Sequence, residues 1–167
     1  MKYAVRTLPA INVIGIALRT SNSDPASAIQ NHWKRFFEAN ILRKIPNKAD
    51  ATIYSVYTNY AGDYTQPYTM VIGAKVTTIA TVPEGMVSIT IPAQQYALIT
   101  AKGEMPNALV TAWQSIWTSD IKRNYKADFE LYTPKFNNGQ NSELDIYVGI
   151  QKPLSFWQKI ALLITGA

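Results

Sequence analysis

The sequence predicts an α+β fold made of two tandem β-α-β-β modules, related by a pseudo-two-fold axis, with helices on one side of an antiparallel sheet. Three observations predict it. Leu8-Pro9-Ala10 and Ile91-Pro92-Ala93 each precede an alternating apolar run. A helical apolar stripe and then two short strands follow each run, in the same order. The two copies lie roughly 80 residues apart, a spacing too long for a solenoid. Such modules would leave a central ligand cleft between them.

The first copy opens with a strand at about residues 2–7 and an extended run from the Leu8-Pro9 turn to about Leu18. Asp24 is a suitable N-cap and Pro25 a suitable first helical residue. The helical stripe that follows consists of Ile29, Trp33, Phe36 and Phe37. Strands at about 52–59 and 68–79 complete the first copy.

The second copy has a strand at about 86–91, an extended run to about Ala101, and a helix opened by Pro106. The apolar stripe of this helix consists of Leu109, Trp113, Ile116 and Trp117. Strands at about 125–132 and 144–152 flank an Asn-Asn-Gly turn at 137–139. The predicted domain covers residues 1–153, with modules at about 1–80 and 84–153.

A further apolar stripe lies in residues 154–167, formed by Phe156, Trp157, Ile160, Leu163 and Ile164. It predicts a C-terminal helical extension that is too short to span a bilayer. Docking on its own domain, a homodimer contact and attachment to a membrane surface all remain open for this segment.

Composition excludes several classes of protein. The 167 residues include no Cys, which excludes disulfides and thiolate chemistry and suits a cytoplasmic location. No apolar stretch is long enough for a membrane span. The net charge of +5 comes from scattered basic residues, and the densest groups follow predicted helices, where cations favour the C-terminal end. We therefore expect no direct contact with nucleic acid.

The last two strands carry the candidate binding chemistry, because side chains alternate between the faces of a strand. If they form a hairpin with Phe129 and Leu131 facing the helices, the opposite face gathers two carboxylates and two phenols. These are Glu130, Tyr132, Asp145 and Tyr147. Such a group suits a flat, lipophilic cation, since carboxylates supply countercharge and aromatic faces attract cations. A half-exposed sheet also carries polar residues on its wet face when nothing binds there, so both interpretations stand.

Other aromatic residues are candidates for the cleft. Trp113 and Trp117 either pack in the core or line the cleft, and Trp33 is expected in the core. Within a tyrosine-rich hairpin, Tyr54 and Tyr68 are the better cleft candidates, whereas Tyr57, Tyr60 and Tyr64 read as ordinary strand and turn residues. The lone histidine, His32, is expected to be a solvated helix residue. Without another histidine nearby, neither a catalytic triad nor a metal site is predicted, and no cofactor is implied.

These segments resemble the GyrI-like effector-binding domain, the sensor module of AraC-type and multidrug-responsive regulators such as Rob and BmrR. The resemblance covers about residues 2–152. It is carried by residues 91–97, Lys102-Gly103, Trp113 to Trp117, and the strands 129–132 and 146–150. It implies a tandem β-α-β-β duplication with a ligand cleft, and a role in sensing or sequestering lipophilic organic cations. It places the key acid of the family at Glu130, with a second acid and tyrosine at Asp145 and Tyr147.

One departure from the regulators is the lack of a helix-turn-helix segment. The sequence is more similar to standalone members, some of them carried on mobile gene cassettes. We therefore expect that any transcriptional control needs a separate DNA-binding regulator. Two alternatives follow from other relatives. One is a hydrolase of reactive small molecules that pairs Glu130 with Tyr132 or Tyr147, although no nucleophile or metal site supports an enzyme. The other is a protein-binding inhibitor of the gyrase-inhibitor type.

Overall fold

The chain forms an antiparallel sheet with two longer helices and one short one in a computed structural model that describes residues 1–137 and 139–152. The first half contributes β1 (Ala4–Leu8), β2 (Ile11–Thr20), α1 (Ala26–Glu38), α2 (Ile41–Lys44), β3 (Ile53–Thr58) and β4 (Tyr68–Lys75). The second half contributes β5 (Val87–Ile91), β6 (Gln94–Lys102), α3 (Asn107–Trp117), β7 (Arg123–Tyr132) and β8 (Glu143–Ile150). The segment 154–167, predicted to be a helical extension, lies outside the described residues.

All pairings in the sheet are antiparallel, and its eight strands follow the order β1-β6-β8-β7-β3-β4-β2-β5. The two halves meet where β3 pairs with β7 at the centre. The predicted combination of an antiparallel sheet with a few helices is confirmed. If each strand of β1–β4 is exchanged with its counterpart in β5–β8, the same strand order is obtained, read from the opposite edge of the sheet. This is the arrangement that a duplicated unit would give. The duplication and the module boundaries stay predictions.

Two local features differ from the sequence prediction. Asp24 does not cap α1. Its carboxylate accepts hydrogen bonds from the Ser21 backbone N–H (2.8 Å) and the Thr20 hydroxyl (2.9 Å), so it closes the turn before the helix instead. The single turn α2 was not predicted, because four residues show no helical period.

Each face of the sheet has its own apolar core. On one face, β2 and β4 pack against Phe36 of α1, and β6 and β8 pack against Ile116 of α3. The opposite face buries a second cluster that includes Val56, Phe129 and Tyr96. Because this cluster also joins Leu8 of β1 to Ile91 of β5 at opposite edges of the sheet, the sheet curls around it. Both faces of the central strands are therefore shielded from water.

Among the described residues, no helix is long and apolar enough to cross a membrane.

Candidate functional site

A cavity of about 250 Å³ lies between α1 and α3, above the central strands β3 and β7. Both helices contribute aromatic and aliphatic side chains, and the sheet supplies its floor. The lining residues are Asn22, Ile29, Trp33, Tyr57, Tyr60, Tyr64, Tyr68, Leu109, Val110, Trp113, Trp117, Arg123, Glu130 and Tyr132. Such an aromatic wall with few polar groups is typical of sites that take lipophilic small molecules.

Glu130 lies at the floor of this cavity and is 1% exposed. Its Oε1 accepts hydrogen bonds from Trp113 Nε1 (2.6 Å) and the Tyr57 hydroxyl (2.9 Å). Its Oε2 accepts a hydrogen bond from the Tyr132 hydroxyl (2.7 Å). Three neutral donors therefore fix the carboxylate in place.

No cationic side chain pairs with Glu130 within residues 1–137 and 139–152. The ion pairs found there involve the acids Glu38, Glu143 and Asp128, and none of them includes Glu130. Burial raises the pKa of Glu130 above its ordinary value, although its hydrogen bonds to Tyr132, Trp113 and Tyr57 act in the opposite direction. The cavity thus has an acidic floor whose ionised form lacks a counter-ion in the part of the chain that the structure describes.

The four polar residues of β7 and β8 do not share a face, so this prediction is wrong. The register places Glu130 opposite Ile146, and Phe129 opposite Tyr147. Directly paired residues of antiparallel strands project to the same side. Glu130 and Tyr132 therefore face the helices, whereas Asp145 and Tyr147 face the second core.

The residues on the far face have partners of their own. Tyr147 stacks on Phe129 with ring centroids 4.6 Å apart, and Asp145 accepts a hydrogen bond from the Thr100 hydroxyl at 2.6 Å. Tyr54 lies on the same face, 7% exposed, and also stacks on Phe129. Asp145, Tyr147 and Tyr54 therefore lie away from the cavity.

The cavity does bring together the other predicted residues, Glu130, Tyr132, Trp113, Trp117 and Tyr68. Trp113 holds Glu130 through its indole nitrogen. Trp117 stacks almost parallel on Tyr64, with centroids 5.7 Å apart, and so joins α3 to the β3–β4 hairpin.

Several lining residues were missed by sequence reasoning. Tyr57, Tyr60 and Tyr64 were expected to be ordinary strand and turn residues, and Trp33 a core residue, yet all four line the cavity. The signal for Tyr57 was the alternation in β3: Ser55 pairs with Glu130, so Tyr57 projects to the same side. Finding it required the pairing of β3 with β7, which no local pattern shows.

Arg123, which lines the same cavity as Glu130, forms a buried ion pair with Asp128, and the two side chains are 4% and 0% exposed. Asp128 also accepts hydrogen bonds from the Tyr60 hydroxyl (2.7 Å) and the Gly149 backbone N–H (2.8 Å). The Arg123 guanidinium lies 4.4 Å from the Tyr125 ring centroid and 5.9 Å from that of Trp113. The wall therefore carries a fixed cation, Arg123, that sequence reasoning did not predict.

His32 is buried rather than solvated, being 5% exposed, with Nε2 3.1 Å from the Ile16 carbonyl oxygen. Burial lowers its pKa. His32 lies off the apolar stripe of α1, which is why it was expected to be solvated. Its ring instead reaches a backbone carbonyl of β2. In the part of the chain that the structure describes, no three His, Cys, Asp or Glu side chains gather as metal ligands.

The sequence profile of Cass2, described as integron-associated effector binding protein, matches residues 4–150. An integron cassette protein from the mobile metagenome of Vibrio cholerae, VCH_CASS2, has a similar structure. Its TM-score is 0.70 at 26% identity, and the match covers 89% of this chain and 95% of that one. The structure of SAV2435 bound to tetraphenylphosphonium has a TM-score of 0.74 at 16% identity, covering 90% and 94%. At that identity the likeness shows the fold.

Two curated bacterial proteins are also similar in sequence. YobU of Bacillus subtilis is 27% identical over 145 residues, which cover 83% of this chain and 91% of YobU. The transcriptional regulator BrlR of Pseudomonas aeruginosa is 30% identical over 149 residues, which cover 85% of this chain and 53% of BrlR. The chain thus spans about half the length of BrlR.

The predicted GyrI-like effector-binding resemblance is confirmed by these matches, because the family profile covers every described strand and helix. The chain belongs to the Cass2 family of integron-associated effector-binding proteins.

Proposed function

We propose that the protein binds lipophilic organic cations in the cavity between α1 and α3, with Glu130 as the counter-charge. One observation carries the proposal: a buried carboxylate held by three neutral donors, without a cationic partner among the described residues, in an aromatic cavity. The proposed site consists of Glu130, Tyr132, Trp113, Trp117 and Tyr68 from the sequence prediction, together with Tyr57 and Trp33.

Electrostatics favour a cation over a neutral molecule of the same shape. A buried anion without a counter-ion is costly, and an opposite charge nearby favours its ionised form. Each aromatic face adds about 2 kcal/mol to the attraction when water is excluded. The rings of Tyr57 and Trp113 contact Glu130, the Trp33 ring lies in the same cavity, and all three are available for such contacts.

The relatives support the same class of ligand and suggest its use. SAV2435, which shares the fold, was solved bound to tetraphenylphosphonium, a bulky lipophilic cation. BrlR, a transcriptional regulator, is similar to this chain over about half of its own length. The proposed role is that of a cytoplasmic sensor or sequestering protein, built by duplication, whose ligand cleft lies between the two modules. A separate DNA-binding regulator would convey the signal, and a homodimer remains part of this proposal.

The test compares a cation with a neutral molecule. Isothermal titration with tetraphenylphosphonium and with triphenylmethanol is carried out on the native protein, Glu130→Gln and Asp145→Asn. Removing one partner of a buried charge pair costs at least about 2 kcal/mol. We therefore expect Glu130→Gln to lose roughly 30-fold or more in affinity for tetraphenylphosphonium and little for triphenylmethanol.

Asp145→Asn is the matched control because it removes an acid from the other face of the sheet. It should bind both molecules as the native protein does. Equal losses for cation and neutral molecule in Glu130→Gln, or a loss confined to Asp145→Asn, would contradict the proposal.

A further inference from the structure

The guanidinium of Arg123 has hydrogen-bonding capacity that the described residues do not use. Its Nη2 donates to Asp128 Oδ2 and, at 3.4 Å, to the Tyr60 hydroxyl. Its Nε and Nη1 are buried and have no hydrogen-bond partner among the described residues. Arg123 lines the same cavity as Glu130.

Such donors need an acceptor from beyond the residues that the structure describes. An arginine remains charged at any ordinary pH, so Arg123 cannot shed the protons of Nε and Nη1. Buried polar groups in native proteins nearly always have a partner, which is protein, water or ligand. Tyr60 and Trp113, whose rings lie near the guanidinium, also line the cavity. A ligand that fills the cavity therefore comes to rest beside these rings and against the Arg123 side chain.

The charges of the site restrict which acceptor fits. With Glu130 ionised, the two carboxylates of Glu130 and Asp128 and the one guanidinium of Arg123 leave a single net negative charge. A monovalent cation neutralises that charge. A zwitterion would bring a further anion and leave the buried site unbalanced, which is unfavourable where water is excluded.

We propose that the cavity selects organic monocations that also carry an uncharged hydrogen-bond acceptor, such as a carbonyl oxygen. Arg123 donates a hydrogen bond to this acceptor. Glu130 holds the cationic end and Arg123 determines specificity at the other. This inference rests on the proposed function, since it assigns a second polar contact to the ligand of that site.

The test compares phosphonium probes of similar shape that have equal charge, except for one that also carries a carboxylate. All are benzyltriphenylphosphonium ions with one substituent on the benzyl ring. An acetyl group at the para or the meta position is compared with an isopropyl group at the same position. A further probe carries a carboxylate at the para position. Affinities are measured by isothermal titration with the full chain. A hydrogen bond to a charged donor should make one acetyl probe about tenfold tighter than its isopropyl counterpart. The carboxylate probe should bind more weakly than that acetyl probe.

Arg123→Lys is the informative variant, because a lysine keeps the charge beside Asp128 but has neither Nε nor Nη1 in the guanidinium geometry. The ratio of acetyl to isopropyl affinity should fall close to one. Arg123→Met combined with Asp128→Asn removes both charges of the pair together and should give the same ratio. This second variant keeps the test valid if Arg123→Lys fails to fold.

Two outcomes would overturn the inference while leaving the proposed function intact. One is equal affinity of acetyl and isopropyl probes for the native protein, with both affinities still dependent on Glu130. The other is an acetyl preference that persists in the Arg123 variants. Tightest binding by the carboxylate probe would refute the charge argument. Failure of every phosphonium probe to bind would instead refute the proposed function itself.

Discussion

Replacing Trp113 by phenylalanine removes one hydrogen bond to a buried carboxylate while keeping an aromatic ring. The indole Nε1 lies 2.6 Å from Glu130 Oε1, and Glu130 is 1% exposed, so this hydrogen bond is shielded from water in the native protein. A hydrogen bond to a charged group contributes about 1.5–3 kcal/mol to the free energy of unfolding. For a domain of this size, Trp113→Phe should lower Tm by roughly 3–12 °C near neutral pH.

Trp117→Phe is the matched control, because it deletes the same ring atoms one helical turn further along α3. The Trp117 ring stacks on Tyr64 rather than donating to Glu130. Urea unfolding of the native protein and both variants separates the lost hydrogen bond from the lost ring atoms. Equal destabilisation by the two substitutions would refute the assignment of Trp113 as a hydrogen-bond donor that stabilises Glu130.

The same substitution has a consequence for ligand binding at different pH values. The Trp113 hydrogen bond lowers the pKa of Glu130, so its removal should raise that pKa further. A cation binds the ionised form of Glu130, and its affinity therefore increases as pH rises through the pKa. In Trp113→Phe, the increase in tetraphenylphosphonium affinity should occur at higher pH than in the native protein. In Trp117→Phe, it should occur at the same pH as in the native protein. Coincident pH profiles in all three proteins would contradict this reasoning.

Two further predictions concern the stability of the free protein. Burial raises the pKa of Glu130, so the folded state holds the proton more tightly, and this stabilisation is lost as pH rises from the ordinary value of 4.5 through the folded pKa. As pH increases over this interval, calorimetry should show the Tm of Glu130→Gln increasing relative to the Tm of the native protein. A Tm difference that does not change with pH would contradict the prediction. Burial lowers the pKa of His32, so its contribution is present above the ordinary value of 6.5 and decreases as pH falls below it. His32→Gln should remove this decrease from the Tm profile, and parallel profiles would show that His32 does not cause it.

The sequence predicted the order of elements because long apolar stripes and a repeated Pro-Ala step are local signals. The helix stripe that contains Trp113 and Trp117, and the assignment of Glu130 as the key acid, led to the residues that line the cavity. The pairing register was beyond the sequence, since β7 alternates between two apolar environments, with Phe129 buried on one face and Glu130 among aromatic rings on the other. An alternating pattern identifies two faces but not which of them the helices cover.

The error for Asp145 and Tyr147 has the same origin. Asp145 and Tyr147 were predicted to share the face of Glu130, whereas the register places Ile146 opposite Glu130 and Tyr147 opposite Phe129. The sequence does not show which face of β7 and β8 packs against the helices. The sheet curls around a second core, so both faces of its central strands are apolar. Arg123 was missed for a related reason. A basic residue after a helix is usually solvated, and only its contact with Asp128 shows that it is buried.

A crystal structure of the complex with tetraphenylphosphonium tests the central claim most directly. The account predicts that the cation fills the cavity between α1 and α3, with its phosphorus closer to the Glu130 carboxylate than to any other acidic side chain of the described chain. A cation bound on the opposite face beside Asp145, or on the outer surface beside Phe37, would contradict it.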